Sequence, residues 1–320
     1  MRGVILDADT TGDTSLAPIL NIPGDWQVFP RSSPSEVGLR VHDADIVVSN
    51  KAPLSATDIA ESRLKLIAVL ATGTNNVDLA AAKEQQVVVC NARGYAAASV
   101  AQHTLALMLN LATQMPGYLS DVHQGLWHKQ QSFALVHRPM FELSGKTIGI
   151  VGFGDLGQAV ARLAAAFDMQ VLISARPDQP EQKIESNRLP FLELLSQVDF
   201  LSLHCPLTEQ NKHLINQQTL ATMKPGSFLI NTARGGLVDD IALIEALRLG
   251  HLGGAAVDTV EVEPPTATDA LISASASMDN LLVTPHSAWG AAESRIRLVE
   301  QVSLNIKAFL DGKPRNVVTA

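Results

Sequence analysis

Cysteine is nearly absent from this chain. Cys90 and Cys205 are the only two in 320 residues, and each lies in an apolar run. A disulfide-stapled scaffold and a Cys-rich zinc fold are thereby excluded. Two isolated thiols fit a reducing, cytoplasmic compartment, with both acting as small buried residues. Aromatics are scarce at 4%, and there is no basic surplus: 24 Lys and Arg stand against 32 Asp and Glu, a net charge of −8. That balance argues against nucleic acid or an anionic membrane as partner. Long hydrophobic runs are also missing. The opening run over residues 4–6 is broken by Asp7 and Asp9, too short for a signal sequence. The most apolar stretch, residues 99–113, carries Gln102, His103 and Asn110, so a buried helix is expected there and no membrane span.

What is present is core material. Hydrophobic residues make up 46% of the chain and charged ones 18%, and about 150 residues per domain gives two domains. Short branched runs at 4–6, 46–48, 66–70 and 87–90 predict strands, with helices over 58–63 and 77–86 between them. A helix is expected over 99–118, ending near Pro116 and Gly117. Alternation restarts at Lys146, with strands predicted at 147–151, 170–174, 198–203, 227–231, 254–258 and 281–284. A last helix over 291–310 ends at a Gly–Lys–Pro stop. Alternating strand and helix implies parallel sheets covered on both faces, hence an α/β fold of two doubly wound domains. No internal sequence repeat is visible.

The strongest local signal is Gly152-Phe153-Gly154-Asp155-Leu156-Gly157, directly after an apolar strand and opening a helical run. This is the context a dinucleotide fingerprint requires. Gly152 permits the tight turn, Gly154 a close approach of the pyrophosphate, and Gly157 the packing of helix on strand. Helix N-terminal N–H groups then meet the phosphates. The bland reading is a tight strand–helix turn without ligand. At the end of the second strand, NAD selection calls for an acid. The chain has Ala175 and then Arg176, which suits a 2′-phosphate, and no acid before Asp178, which could also reach the ribose. NAD(P) is therefore the expected cofactor, with NADP(H) slightly ahead of NAD(H).

Three later strands each lead into a polar residue: Arg234, Glu263 and His286. In open α/β sheets ligands sit beyond the carboxyl ends of strands, so these should face one crevice. Arg clamps a carboxylate, His delivers a proton near neutral pH, and Glu orients the imidazole and favours its protonated form. The set suits a reaction on an anionic carbonyl compound. Singly, each has a bland reading: a surface ion pair, a loop charge, a core histidine. Nine histidines suggest metal at first sight, but His123 and His128 lack an H-E-x-x-H pattern and the rest are scattered, so none is expected.

The chain resembles the D-isomer-specific 2-hydroxyacid dehydrogenases, and within them the glycerate dehydrogenase/hydroxypyruvate reductase branch. The resemblance rests on residues 71–78 (ATGTNNVD), 99–104 (SVAQHT), the Gly152 fingerprint, 204–208 (HCPLT), 231–236 (NTARGG) and 284–290 (TPHSAWG). It implies a Rossmann dinucleotide-binding domain over residues 98–289, inserted into a discontinuous flavodoxin-like substrate domain of residues 1–97 and 290–320. It implies that Arg234 binds substrate, Glu263 partners the histidine, and His286 is the acid/base. Backbone at Thr72, Gly73 and Thr74 would take the substrate carboxylate, and Trp289 would wall the pocket. His204, Cys205, Pro206, Thr232 and Ala233 would line the cofactor site, with Asp258 at the nicotinamide carboxamide. The expected reaction is hydride exchange between NAD(P)H and a small 2-oxo acid: hydroxypyruvate or glyoxylate reduction, or D-glycerate oxidation. Domain closure would exclude water. The alternatives are an NAD(H)-sensing corepressor and another Gly-rich-fold enzyme such as a methyltransferase; the intact Arg, Glu and His favour the dehydrogenase.

Departures from the family pattern are Ala175 with Arg176, Gln102 in place of Glu, and an Ala- and Ser-rich stretch over 267–279. Asn75 and Asn76 read equally well as turn residues, and Trp127 and Phe133 as packing aromatics. The helix from residue 99 is apolar on several faces, which a subunit contact would help to bury. A homodimer is expected.

Overall fold

In this computed structural model, which describes residues 1–130, 132–177 and 184–318, the chain divides into two units. One comprises Met1–Ala96 with Gly290–Ala320, and the other Ala97–Trp289.

The first unit holds a five-stranded parallel sheet. Its strands are β1 (Arg2–Ile5), β2 (Asp25–Val28), β3 (Ile46–Ser49), β4 (Leu66–Val69) and β5 (Val88–Cys90), in the order β2-β1-β3-β4-β5. β3 and β4 are buried along their whole length, which explains their unbroken Ile, Val and Leu runs. β2 is absent from the sequence reading. It is an edge strand, Asp-Trp-Gln-Val, exposed at most positions, so it carries no apolar run to betray it. Helix starts are written locally. Ser33 with Glu36 and Ser55 with Asp58 form capping boxes for the helices Pro34–Val41 and Ala56–Ala60. Asn76 acts as a structural tie, its Nδ2 donating to Ala52 O at 3.1 Å. The long helix Ala292–Leu310 packs on β4, and the chain then returns so that Val318 N donates to Val89 O at 2.7 Å.

The second unit holds a six-stranded parallel sheet of β6 (Thr147–Val151), β7 (Gln170–Ile173), β8 (Phe200–Leu203), β9 (Ser227–Asn231), β10 (Leu252–Val257) and β11 (Leu281–Val283). The order is β11-β10-β9-β8-β6-β7. Each sheet therefore turns direction beside its own first strand, the doubly wound topology. Neighbouring residues alternate between two cores. Leu201, Leu229 and Ala255 enter one cluster, while Phe200, Ile230 and Ala256 enter the other. A sheet apolar on both faces must be covered on both.

Two sequence expectations need correcting here. The helix expected over 99–118 is Ala97–Thr113, which breaks at Gln114, a residue in the left-handed region at φ +54°. Pro116 does not stop it but lies in the first turn of a second helix, Met115–His123, where a missing N–H costs nothing. Nor does Ala97–Thr113 need a partner to cover its apolar faces. Leu105, Leu107, Met108 and Leu111 are buried within the unit, where the helix packs on Asp155–Ala166. The exposed apolar side chains lie further on. Trp127 is 51% and Phe133 94% exposed, so neither packs in the core.

Among the described residues, no helix is long and apolar enough to cross a membrane, and no cluster of His, Cys, Asp or Glu is gathered for a metal.

Candidate active site

The carboxyl ends of the second unit's strands collect most of the candidate residues. Gly152, directly after β6, has φ +93°, a conformation L side chains rarely adopt. A Cβ there would stand 2.5 Å from Cys205 N and 2.7 Å from His204 O. Glycine is thus required twice over, by conformation and by the approach of the loop after β8. At Gly157 a Cβ would overlap Gly152 O. Gly154 differs: a Cβ there would meet nothing within 4 Å. Protein packing does not explain this glycine, and the open space before it fits the close approach of a phosphate group. It caps the helix Asp155–Ala166, whose first N–H groups are donors for an anion. Phe153, Asp155 and Leu156 belong to the same turn.

The first unit makes an instructive contrast. At its equivalent switch point, between β1 and β3, Asp7 is 4% exposed and accepts Asn50 N at 2.9 Å and Ala52 N at 2.8 Å. The protein's own carboxylate fills that nest of N–H groups. The acid of the Gly152 turn, Asp155, takes no such set of N–H groups among the described residues.

After β8, His204 is buried with its Nε2 on Ser202 Oγ at 2.8 Å. Its Nδ1 is buried with no hydrogen-bond partner among the described residues. Burial pushes its pKa down to about 4, so it is neutral at pH 7. Cys205 is only partly buried, which amends the expectation that both cysteines are small buried residues. Burial still raises its pKa to about 11, so the thiol is a poor nucleophile. Pro206 continues this loop. After β7, Ala175 is buried and Arg176 exposed. Sequence reasoning missed a second guanidinium at this strand end. Ser174 bridges to Leu189, and Arg188 Nη1 donates to Ser174 O at 3.4 Å. Only the chain's return to β7 reveals it. Asp178 lies outside the described residues.

Beyond β9, Asn231 shapes the loop that carries Arg234. Its Oδ1 accepts Ala233 N at 3.0 Å, and its Nδ2 donates to Arg234 O at 2.9 Å. The side chain of Arg234 donates through Nη1 to Ala233 O at 2.7 Å. Gly235 lets this loop press on the next, because a Cβ there would overlap the backbone of Val260 and Glu261. Neither Asn231 nor Gly235 was singled out as supporting the site. Their signal is the run Asn-x-x-Arg-Gly, legible only once the loop after β10 is seen to touch it.

After β10, Asp258 is 1% exposed, and its carboxylate accepts Ser287 N and Ala288 N, both at 2.9 Å. Glu263 Oε1 accepts Val260 N at 3.2 Å, and its Oε2 lies 2.7 Å from His286 Nδ1. His286 follows β11 with φ +50° and donates its N–H to Asp258 O at 2.7 Å. Glu263 and His286 are thus brought into direct contact, and the Arg234 loop lies against the loop that carries Glu263. Thr232 Oγ1 is 3.2 Å from Thr104 Oγ1. Trp289 is partly buried three residues past His286. The Ala- and Ser-rich stretch after Glu263 forms a short helix, Ala270–Ser275, capped by Asp269. Thr72, Gly73 and Thr74 belong to the first unit, in the loop after β4, where Asn91 Nδ2 donates to Thr72 O at 2.7 Å.

This set can clamp a carboxylate, hold a proton on an oriented imidazole, and seat a dinucleotide phosphate. Comparison with known proteins agrees in kind. The sequence pattern described as D-isomer specific 2-hydroxyacid dehydrogenase, NAD binding domain, matches residues 105–288. A glycerate dehydrogenase of Methylorubrum extorquens is 40% identical over 94% of this chain and 94% of that protein. A hydroxypyruvate reductase of Blautia hydrogenotrophica is 37% identical over 92% of each. Among solved structures, an NADPH-dependent glyoxylate/hydroxypyruvate reductase from Sinorhizobium meliloti superposes with a TM-score of 0.83. It is 25% identical and covers 99% of this chain and 97% of that one.

Proposed function

From the premise that this chain belongs to the D-isomer specific 2-hydroxyacid dehydrogenase family, we propose that it reduces hydroxypyruvate or glyoxylate and, in reverse, oxidises D-glycerate. The observation that carries the reading is the 2.7 Å contact of Glu263 with His286, on loops that follow adjacent strands of a dinucleotide-type sheet.

A nicotinamide dinucleotide would supply hydride-transfer chemistry here. The Gly152–Gly157 turn and the helix behind it would hold its phosphates. Ala175 and Arg176 would receive the adenosine ribose, and His204, Cys205, Pro206, Thr232, Ala233 and Asp258 would line the remainder. Arg234 holds the substrate carboxylate and draws electron density onto the carbonyl oxygen. His286 places one proton on that oxygen, which leaves a hydroxyl group. Glu263 accepts from Nδ1, which keeps Nε2 as the working nitrogen. Residues 72–74 offer backbone N–H groups to a carboxylate, and Trp289 excludes water beside His286.

Both nicotinamide cofactors serve, with NADPH ahead. Ala175 brings no carboxylate to repel a 2′-phosphate, and Arg176 and Arg188 stand at the same strand end. A homodimer is proposed from the segment after Thr113, where Leu119, Val122, Trp127, Phe133, Val136 and Met140 are all exposed.

The test is steady-state oxidation of NADPH and of NADH with hydroxypyruvate, glyoxylate and pyruvate. Turnover with none of the three overturns the reaction. A strong NADH preference that Arg176→Ala leaves unchanged overturns the cofactor assignment. A single-chain mass by light scattering overturns the dimer.

A further inference from the structure

The motif Ser99-Val-Ala-Gln-His103-Thr104 has no part in the chemistry described so far. All of it lies on the helix Ala97–Thr113. Ser99 and His103 stand one turn apart, and Thr104 is next to them. Together they reach the loops after β9, β10 and β11 of the same unit. Ser99 Oγ donates to Ala288 O at 2.6 Å. His103 Nε2 lies 3.1 Å from Thr284 Oγ1 and 3.5 Å from Asp258 Oδ1. Thr104 Oγ1 meets Thr232 Oγ1 at 3.2 Å.

The direction of the His103 bond follows from counting protons. A threonine hydroxyl has one to give. Thr284 gives it to Asp258 Oδ1 at 2.6 Å. The oxygen that faces His103 is therefore an acceptor, and Nε2 must carry a hydrogen. The other tautomer would turn a ring lone pair toward two oxygens. Asp258, fixed in this way by Thr284, takes the N–H groups of Ser287 and Ala288 with its carboxylate and that of His286 with its carbonyl. These bonds bracket a residue at φ +50°, a conformation that a non-glycine residue keeps only when its surroundings impose it.

We propose that His103 is a positioning residue: its Nε2–H, through Thr284 and Asp258, sets the loop that presents the His286 imidazole. This rests on the reaction proposed above. Replacing His103 by leucine keeps bulk and removes the donor, and a misplaced imidazole is expected to lower kcat on the order of 10- to 100-fold. Glutamine restores an Nε2 donor, so His103→Gln is expected to recover turnover to within about threefold of the parent.

The experiment has two arms. Two-bond ¹⁵N–¹H correlation of histidine-labelled protein reads the tautomer without turnover, the His103 signal being the one that His103→Gln removes. An Nε2–H pattern is expected, and an Nδ1–H pattern overturns the proposal. In the kinetic arm, thermal melts accompany kcat and KM for hydroxypyruvate. A merely structural histidine would lower Tm and leave kcat per folded enzyme unchanged. His103→Leu with kcat within twofold of the parent, or His103→Gln as impaired as His103→Leu, overturns the proposal. An unsubstituted protein that turns over no 2-oxo acid sinks the reaction itself. An Nδ1–H signal in a protein that does turn over sinks the clamp alone.

Discussion

Glu263 Oε2 and His286 Nδ1 are 2.7 Å apart across 23 residues of sequence, because β10 and β11 run side by side and end together. A carboxylate can only accept here, so Nδ1 carries the hydrogen and Nε2 is left as the nitrogen that the proposed reaction uses. The other carboxylate oxygen takes Val260 N, which ties Glu263 to its own loop.

His286→Ala should lower kcat by about 10²–10⁴-fold, the usual contribution of a general acid–base, while cofactor binding survives. Glu263→Gln keeps the shape of the partner and loses its charge, so its kcat should fall between the parent and His286→Ala. Initial rates with hydroxypyruvate and a fluorescence titration with reduced nicotinamide check both. Near-parental turnover in His286→Ala sinks the assignment.

Arg234 spends one N–H on Ala233 O and has no other side-chain hydrogen bond among the described residues, which leaves the rest of its planar fork for the proposed carboxylate. Lysine would keep the charge and lose the fork. Arg234→Lys should therefore lose about 10- to 100-fold in kcat/KM for 2-oxo acids, and Arg234→Gln more. Two benign variants would put the carboxylate clamp elsewhere.

The legible parts of this protein are those whose reasons are local. Buried strands such as Ile46–Ser49 and Leu66–Val69 declare themselves as apolar runs, and the Gly152 turn states its own conformational need. Arg234, Glu263 and His286 could be grouped from sequence because each follows a strand, and parallel strands deliver their ends to one edge. Reasons that lie across the chain stayed hidden. Gly235 is explained only by Val260, Arg188 only by its return to Ser174, and His103 only by Thr284 and Asp258. The edge strand Asp25–Val28 has too little burial to leave a pattern. Pro116 misled because a proline after an apolar helix fits the start of the next helix as well as the end of the last.

Gly235→Ala tests the contact between the Arg234 and Glu263 loops. The added methyl group would meet backbone atoms of Val260 and Glu261, which cannot swing aside as a side-chain end can. Overpacking of this kind costs about 1–3 kcal/mol. Tm should fall by several degrees, and kcat/KM should fall with it as the two loops part. A variant with parental melting and kinetics would show that the loops have room to spare.

Asp240 yields the pH prediction. It opens the helix Asp240–Arg248, and its Oδ1 is buried with no hydrogen-bond partner among the described residues. Burial first, then the neighbouring charges of Asp269, Glu261 and Asp239, push its pKa up from the usual 3.8 to about 6. The folded chain thus holds this proton more tightly than the unfolded chain does. The stability it contributes is complete below pH 4 and is lost as the pH rises to 6; above that the penalty is constant. Asparagine cannot ionise, so Asp240→Asn should match the parent near pH 4 and exceed it at pH 7–8. Partial exposure screens the charge, and the helix N-terminus favours an anion, so the gain is held to about 1 kcal/mol, a rise of a few degrees in Tm. Melting both proteins from pH 4 to 8 checks this. The gap should open between pH 4 and 6 and then stay level. A gap independent of pH, or one that favours the aspartate at pH 8, would mean that Asp240 is as well solvated in the folded chain as in the unfolded one.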